Sequence, residues 1–201
     1  MEILTESKAE EFLEKNKFPI VKRGIAYNLK QAEQIAKKLG YPVVLKNPSI
    51  LHKTEKNAVK TNVTKETIEK SYRSLNSKGV LIQKHVKGIE IFAGIKKDQT
   101  FNHVLAFGLG GIYTEILKDI SFRICPITSK DALEMIKEIR SYPLLKGARG
   151  IHPVNISLIK NILLKLSNLT KKYPNIQELD INPMMAEKNK IEIVDARIIL
   201  D

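Results

Sequence analysis

The sequence has 201 residues and a mass of 22.8 kDa, with 43% hydrophobic and 28% charged residues. This is a globular balance that excludes a largely disordered chain, and the length allows one large domain or two small lobes. Lys and Arg number 34 against 22 Asp and Glu, a net charge of +12 that is spread along the chain. Because no basic block stands out, we expect no nucleic-acid partner; a diffuse positive field favours phosphorylated small molecules or an acidic partner chain.

Cysteine content and hydropathy bear on the compartment. Cys125 is the single cysteine in the sequence, which rules out an intramolecular disulfide and fits a reducing compartment. No apolar run reaches the roughly 18–20 residues of a membrane-spanning helix, and the first residues are polar and acidic, unlike a signal peptide. We therefore expect a cytoplasmic protein that does not bind a membrane.

The first half of the chain alternates helical and extended patterns. Asn28 is a predicted N-cap, and Gly40 closes the helix that follows it. In chain order, we expect a helix over 5–15, a strand over 20–25, a helix over 28–39, strands over 41–46 and 58–63, a helix over 64–75 and a strand over 80–83.

The second half continues the mixture. In chain order, we expect strands over 89–95, 104–107, 112–117 and 122–125, helices over 129–139 and 157–169, and two hairpin strands over 176–185 and 191–200. Strands and helices are mixed throughout, and their order is compatible both with parallel pairing of strands and with hairpins. This predicts an α+β (or α/β) protein rather than a helical bundle or a β-sandwich.

Lys46 ends the apolar strand over 41–46. One interpretation is an ordinary solvated strand end, with the aliphatic stem packed and the ammonium in water. The other is a phosphate ligand, because ligands of α/β proteins bind where strands end.

The strand over 80–83 runs into a short extended linker. Gln83, Lys84, His85 and Val86 present backbone groups that can pair with an adenine edge, and Glu90 follows at a distance suited to ribose hydroxyls. Taken alone, this signal is weak, and Glu90 is equally well explained as an exposed strand carboxylate.

A third polar cluster occupies the C-terminal hairpin. Because side chains on a strand repeat with period two, Glu178, Asp180 and Asn182 are expected on one face, with Asp195 on the next strand. Carboxylate and amide oxygens that converge at a hairpin suit a hard cation such as Mg²⁺. We favour this metal site over a half-exposed edge hairpin.

The remaining motifs are less specific. The run 108–111 is Gly-Leu-Gly-Gly, which is neither a P-loop nor a Rossmann fingerprint, and it either lets the backbone approach a ligand or makes a tight turn. The four histidines have no zinc-like spacing, and no hydrolase Gly-x-Ser-x-Gly signature is present.

Together these motifs resemble the ATP-grasp family, and more closely the nucleotide-binding β chain of ADP-forming acetyl-CoA (acyl-CoA) synthetases, relatives of succinyl-CoA synthetase. The resemblance runs over about residues 5–200. The stretches that carry it are 42–46, 50–53, 108–115, 118–123, 145–150, 178–183 and 195–197.

The resemblance implies an ATP-grasp architecture, with a first lobe over 1–85, a second over 86–201 and the nucleotide between them. It also implies ATP or ADP with Mg²⁺ as cofactors, and a CoA-binding α subunit, carrying the main phosphohistidine, as partner in a hetero-oligomer. This chain would perform the nucleotide half of the reaction. The residue roles that the resemblance implies are phosphate contacts at Lys46 and Arg123, an adenine hinge over Gln83, Lys84, His85 and Val86, a ribose contact at Glu90, Mg²⁺ ligands at Asp180, Asn182 and Asp195, and a phosphoryl carrier at His52.

Two positions depart from the family pattern. Residues 55–58 are Glu-Lys-Asn-Ala where the family has an Asp-x-Gly-Gly-like turn, and Lys84 replaces an acidic hinge residue. The amino terminus is also short for the family. Two alternatives therefore accompany the catalytic interpretation: a degenerate ATP-grasp domain that binds nucleotide or its partner chain without turnover, and a basic nucleic-acid-binding protein supported only by the net charge.

Overall fold

The computed structural model of the chain describes residues 1–48, 58–110, 119–148 and 152–201. Within these ranges the helices are α1 (Glu6–Lys15), α2 (Leu29–Leu39), α3 (Ile68–Ser74), α4 (Ser129–Glu138), α5 (Tyr142–Leu145) and α6 (Ile156–Lys172). The strands are β1 (Glu2–Ile3), β2 (Arg23–Ala26), β3 (Val43–Lys46), β4 (Val59–Val63), β5 (Val80–Lys84), β6 (Ile89–Asp98), β7 (Asn102–Leu109), β8 (Ile120–Ile124), β9 (Ile176–Ala186), β10 (Ile191–Ile193) and β11 (Ala196–Leu200). The predicted mixed α and β class is confirmed. Among these helices, none has the length and apolar character needed to cross a bilayer.

The described chain divides into two units. The smaller contains residues 5–7 and 21–86, and the larger contains residues 1–4, 8–20 and 87–201. The predicted lobes run over 1–85 and 86–201, whereas here the chain passes from the smaller to the larger unit between Val86 and Lys87, and most of the first 20 residues group with the larger unit.

The smaller unit is built on a four-stranded antiparallel sheet in the order β2-β5-β3-β4. Helix α2 packs on β2 and β5 through Ala32 and Ala36, which are fully buried. The helix begins as predicted, since the Asn28 side chain accepts a hydrogen bond from the Gln31 backbone N–H at 2.9 Å. It ends at Gly40, whose positive φ of 85° suits glycine.

The larger unit is built on an antiparallel sheet in the order β1-β11-β9-β6-β7-β8, with β10 paired to β9. Helices α4 and α6 pack on one face, and β6 shows how the strands divide their side chains between faces. Ile91, Ala93 and Ile95 are buried against the helices, so Phe92 and Gly94 lie on the opposite face.

Several elements differ from the sequence expectations for local reasons. Helix α3 begins at Ile68 rather than at Thr64, because the Thr67 hydroxyl accepts from the Thr64 N–H at 2.9 Å and forms a turn first. The strand expected over 191–200 is broken between Ile193 and Ala196. Strand β1 and helix α5 are not predicted at all, and the strand expected over 112–117 lies outside the described residues.

Candidate functional site

Strand β9 brings carboxylates to the face of the larger sheet that lies away from α4 and α6. Asp180 is directly opposite Gly94 on β6 and Arg197 on β11. Glu178 shares this face, while Leu179 between them is fully buried in the core. The alternation expected from the sequence is therefore present.

A bulge in β9 and a strand break bring Asn182 and Asp195 together. Ala93 pairs with Ile181 but Ile91 pairs with Met184, so β9 carries one extra residue at 182–183. Asp195 lies in the break between β10 and β11, and its backbone oxygen accepts a hydrogen bond from the Asn182 N–H at 3.3 Å.

The carboxylates of this cluster lie close enough to repel one another. Burial, followed by the neighbouring carboxylates Glu178 and Asp195, raises the pKa of Asp180 to about 6, and the Arg197 guanidinium partly opposes this rise. The Arg197 Nε is buried and makes no hydrogen bond to any residue that the structure describes. A cation held here would offset the repulsion between the carboxylates.

The donor set fits Mg²⁺. Mg²⁺ is commonly held by one or two protein carboxylates, with waters and substrate phosphates completing its shell. Asp180, Asp195 and Asn182 supply oxygen donors of this kind. Over the described ranges, no group of three or more His, Cys, Asp or Glu side chains, this cluster included, is placed to hold a metal ion by itself, so waters and substrate phosphates would have to complete the shell here.

A glycine lets β6 lie close to Asp180. A Cβ on Gly94 would lie 3.1 Å from the Leu179 carbonyl oxygen and 3.4 Å from the Asp180 Oδ1. A depression of about 410 Å³ covers this face, lined among others by Phe92, Gly94, Lys96, Glu178 and Asp180. Gly94 was not predicted as a site residue, although a glycine inside a strand is a known signal for a close approach.

Glu90 belongs to the same face of β6, since it alternates with the buried Ile91. Its side chain is exposed, and its backbone oxygen accepts a hydrogen bond from the Gly110 N–H at 2.8 Å. This position leaves the carboxylate open to solvent. The ribose contact stays a prediction.

Lys46 occupies the end of β3 in the smaller unit, between Val59 on β4 and Leu81 on β5. It is not a solvated strand end, because only 5% of the residue is exposed and its Nζ donates to the Glu6 Oε1 at 2.9 Å. Glu6 was not predicted as a site residue, and a partner 40 residues away leaves no mark on the local sequence pattern.

The predicted hinge follows β5. Gln83 is buried opposite Val44 and Arg23, and the Lys84 N–H donates to the Lys22 oxygen at 2.9 Å. Residues 85–86 then leave the sheet and lead into the larger unit. Their adenine contacts stay a prediction.

Arg123 lies on the other face of the larger sheet from Asp180. It pairs with Leu105, a core residue, and its guanidinium is 2.8 Å from Glu138 and 3.9 Å from Glu134 on α4. The structure therefore does not bring Arg123 together with the carboxylate cluster. Its phosphate contact stays a prediction that this geometry does not favour.

Within the glycine-rich run, Gly108 and Gly110 lie where other chain segments pack closely. A Cβ on Gly108 would lie 2.5 Å from the Asp119 carbonyl oxygen, and a Cβ on Gly110 would lie 3.0 Å from the Ile91 backbone and 3.2 Å from the Asn182 Oδ1. His52 and residues 55–57 lie outside the described residues. Of the other histidines, His103 is buried in the core, with its Nε2 2.8 Å from the Ile176 oxygen.

Curated relatives resemble the chain over most of its length. The acetate–CoA ligase (ADP-forming) I subunit beta of Pyrococcus furiosus is 41% identical over 212 residues, which covers 98% of this chain and 91% of that subunit. The acetate–CoA ligase (ADP-forming) I of Archaeoglobus fulgidus is 40% identical over 191 residues, which covers 88% of this chain but 28% of that longer protein.

Solved structures give the same result. A structure described as dinucleotide forming acetyl-coenzyme A synthetase 1 of Ca. Korarchaeum cryptofilum, in complex with coenzyme A, Ca-AMPCP and HgCl+, is 34% identical with a TM-score of 0.93, covering 99% of this chain and 93% of that one. Another structure of that synthetase, with Mg-AMPPCP and a phosphohistidine segment pointing towards the nucleotide binding site, is 35% identical with a TM-score of 0.87, covering 99% and 93% of the two chains. These findings confirm the resemblance inferred from the sequence.

A family model described as an ATP-grasp domain matches residues 1–200, nearly the whole chain. The two curated relatives are 40–41% identical to this sequence over the aligned residues, which agrees with the family match. The chain belongs to the ATP-grasp domain family.

Proposed function

We propose that this chain is the nucleotide-binding subunit of an ADP-forming acid–CoA ligase of the acetate–CoA ligase type. The observation that carries the proposal is the 41% identity to a beta subunit of that enzyme over 98% of this chain. The overall reaction converts acyl-CoA, phosphate and ADP to acid, CoA and ATP, reversibly. In the step assigned to this chain, the N–P bond of a phosphohistidine breaks and an O–P bond to the terminal phosphate of ADP forms.

In this proposal the carboxylate cluster holds the metal. Asp180, Asn182 and Asp195 bind Mg²⁺, which when present neutralises phosphate charge during transfer. The raised pKa of Asp180, caused by burial and by Glu178 and Asp195, supports a cation at this face. Arg197 opposes the same repulsion from the side of β11.

The remaining roles follow the family pattern. Lys46 contacts the phosphates, the backbone of residues 83–86 contacts the adenine, and Glu90 contacts the ribose. Arg123 is the weakest of these assignments because Glu138 holds its guanidinium on the other face of the sheet.

His52 is proposed as the phosphoryl carrier of this chain. Imidazole is nucleophilic near neutral pH, and a phosphorylated imidazole remains a good phosphoryl donor. The cations Lys46 and Lys53, six residues before and one residue after it in the sequence, suit a phosphoryl group's negative charge.

The proposed partner is a CoA-binding α subunit that carries the main phosphohistidine. The relative from Pyrococcus furiosus is a subunit beta, which supports an enzyme of two kinds of chain. In the Archaeoglobus fulgidus relative, the matching region is 28% of one longer protein, which leaves room there for the other functions.

The experiment is reconstitution with the candidate α chain. ATP formation from acyl-CoA, phosphate and MgADP is measured, and acid-labile phosphohistidine is followed on each chain with labelled phosphate. We expect His52→Ala to abolish ATP formation while the α chain still becomes phosphorylated, since that half-reaction does not use His52. A His152→Ala variant, which removes an exposed histidine, is the control.

Two outcomes would count against the proposal in different ways. Full ATP synthesis by His52→Ala would mean that the partner's histidine serves ADP directly, and the carrier role would fail. MgADP binding without turnover by the wild-type complex would instead identify a degenerate ATP-grasp domain.

A further inference from the structure

The buried ion pair between Lys46 and Glu6 is a feature that the family assignment leaves unexplained. Both residues belong to the smaller unit, and their side chains are 7% and 2% exposed. The Lys46 Nζ donates to the Glu6 Oε1 at 2.9 Å, the length of a good charge-assisted hydrogen bond. Glu6 opens α1, and Lys46 is the last residue of β3.

Stability is a poor explanation for this pair. Removing two charges from water is costly, and buried ion pairs replaced by apolar side chains of similar volume often leave a protein equally or more stable. A lysine at a strand end with no buried partner ordinarily extends its ammonium into solvent. Here the carboxylate of Glu6 keeps the ammonium at one place.

A fixed ammonium is what phosphate recognition requires. A lysine that is already ordered loses less side-chain freedom when it binds a ligand than a lysine that moves in solvent. Protein kinases use the same chemistry on other elements, where a helix glutamate holds the strand lysine that binds the nucleotide phosphates. In this chain the strand lysine is Lys46 and the helix glutamate is Glu6.

We propose that Glu6 is a positioning residue for nucleotide binding, acting through its ion pair with Lys46. The inference rests on the proposed function, in which Lys46 contacts the phosphates. Glu6 itself need not touch the nucleotide. Removing its charge therefore weakens nucleotide binding only as long as Lys46 is present.

A double-mutant cycle on the full chain tests this dependence. The dissociation constant for MgADP is measured by calorimetry for wild type, Glu6→Gln, Lys46→Met and the double variant. We expect Lys46→Met to weaken binding about thirtyfold and Glu6→Gln about tenfold, the range for a charged hydrogen bond. In the Lys46→Met background, Glu6→Gln should change the constant less than about twofold.

Two further variants separate positioning from a structural effect. Glu11→Gln removes the same charge from an exposed position on α1 and should leave the MgADP constant unchanged. Glu6→Asp keeps the negative charge on a side chain that is one methylene shorter. It should recover part of the MgADP affinity lost in Glu6→Gln. If Glu6→Gln does not fold, Glu6→Asp carries the test, with a measurable loss of affinity expected relative to wild type.

The outcomes distinguish the two proposals. If Lys46→Met leaves MgADP binding unchanged, the phosphate contact assigned to Lys46 fails, and positioning by Glu6 fails with it. If Lys46→Met weakens binding but Glu6→Gln does not, or if the two effects simply add, the positioning role alone is overturned. A lowered melting temperature of Glu6→Gln with an unchanged constant would also overturn it, since that is the result of a purely structural pair.

Discussion

Asp180→Asn should stabilise the metal-free protein at alkaline pH while removing a ligand from the proposed metal site. In the folded chain, burial together with the nearby Glu178 and Asp195 carboxylates raises the pKa of Asp180 to about 6, from an ordinary value of 3.8. The folded state therefore holds a proton on Asp180 at a pH where the unfolded chain has lost it. The free energy of unfolding therefore falls as pH rises from the unfolded pKa of 3.8 to the folded pKa of about 6, and it falls no further above that pH.

The size of the effect follows from the pKa difference. A rise from 3.8 to about 6 is about 2 units, which at 1.36 kcal/mol per unit is about 3 kcal/mol. This is an upper limit, because Asp180 keeps some exposure to solvent. Asparagine has a similar shape and no charge, so Asp180→Asn should recover most of this free energy at pH 8 and almost none at pH 4.

Urea denaturation in EDTA at pH 4, 6 and 8 measures the difference between the two proteins. Asp201→Asn, which removes a charge from an exposed carboxylate, should show no such trend. Adding Mg²⁺ with ADP should stabilise wild type more than Asp180→Asn, by mass action. A variant that is less stable than wild type at pH 8, or a difference that does not change with pH, would refute this account of the cluster.

Three further predictions concern other parts of the larger unit. Asp195→Asn and Asn182→Ala should each weaken MgADP binding about tenfold or more in calorimetry while circular dichroism stays unchanged, since their side chains are only partly buried; wild-type affinity in both would remove them from the site. Gly108→Ala should lower the free energy of unfolding by about 1–3 kcal/mol, because its Cβ would lie 2.5 Å from the Asp119 oxygen; an unchanged urea midpoint would contradict this. Asp119→Asn should cost about 1–2 kcal/mol at pH 7, because its carboxylate accepts from the Ser141 N–H and hydroxyl. Although burial acts to raise the pKa of Asp119, the hydrogen bonds from Ser141 and Arg140 together with the Arg140 charge outweigh it and lower the pKa. This contribution is therefore present above the unfolded pKa near 4 and should be lost as pH falls through the lower folded pKa.

Local patterns predicted much of the fold and the carboxylate cluster. Asn28 and Gly40 mark helix α2 because capping depends on neighbouring residues alone. Leu179 and Asp180 divide between the faces of β9 because the strand repeat is geometric.

Features that depend on distant partners escaped prediction. Strand β1 has two residues and exists because Ile3 pairs with Ile199. The Glu6 partner of Lys46 and the Glu138 partner of Arg123 are set by tertiary packing, which no periodicity encodes. The sequence pattern over 191–200 predicts one continuous strand, but the structure breaks it at Asp195.

The pairing of β1 with β11 has a consequence for synthesis on the ribosome. The core of the smaller unit is complete within residues 26–82, whereas the larger unit joins residues 2–3 to residues 199–200. At about 5–20 residues per second, the 115 residues over 87–201 take about 6–23 s to be made. During that interval the early unit can fold, but the apolar face of α1 has no core to enter, and β9 lacks its neighbour β11 until residues 196–200 appear. Nascent chains of this protein should therefore present an open sheet edge and an uncovered helix face until residues 196–200 have been made, and these are features that molecular chaperones shield.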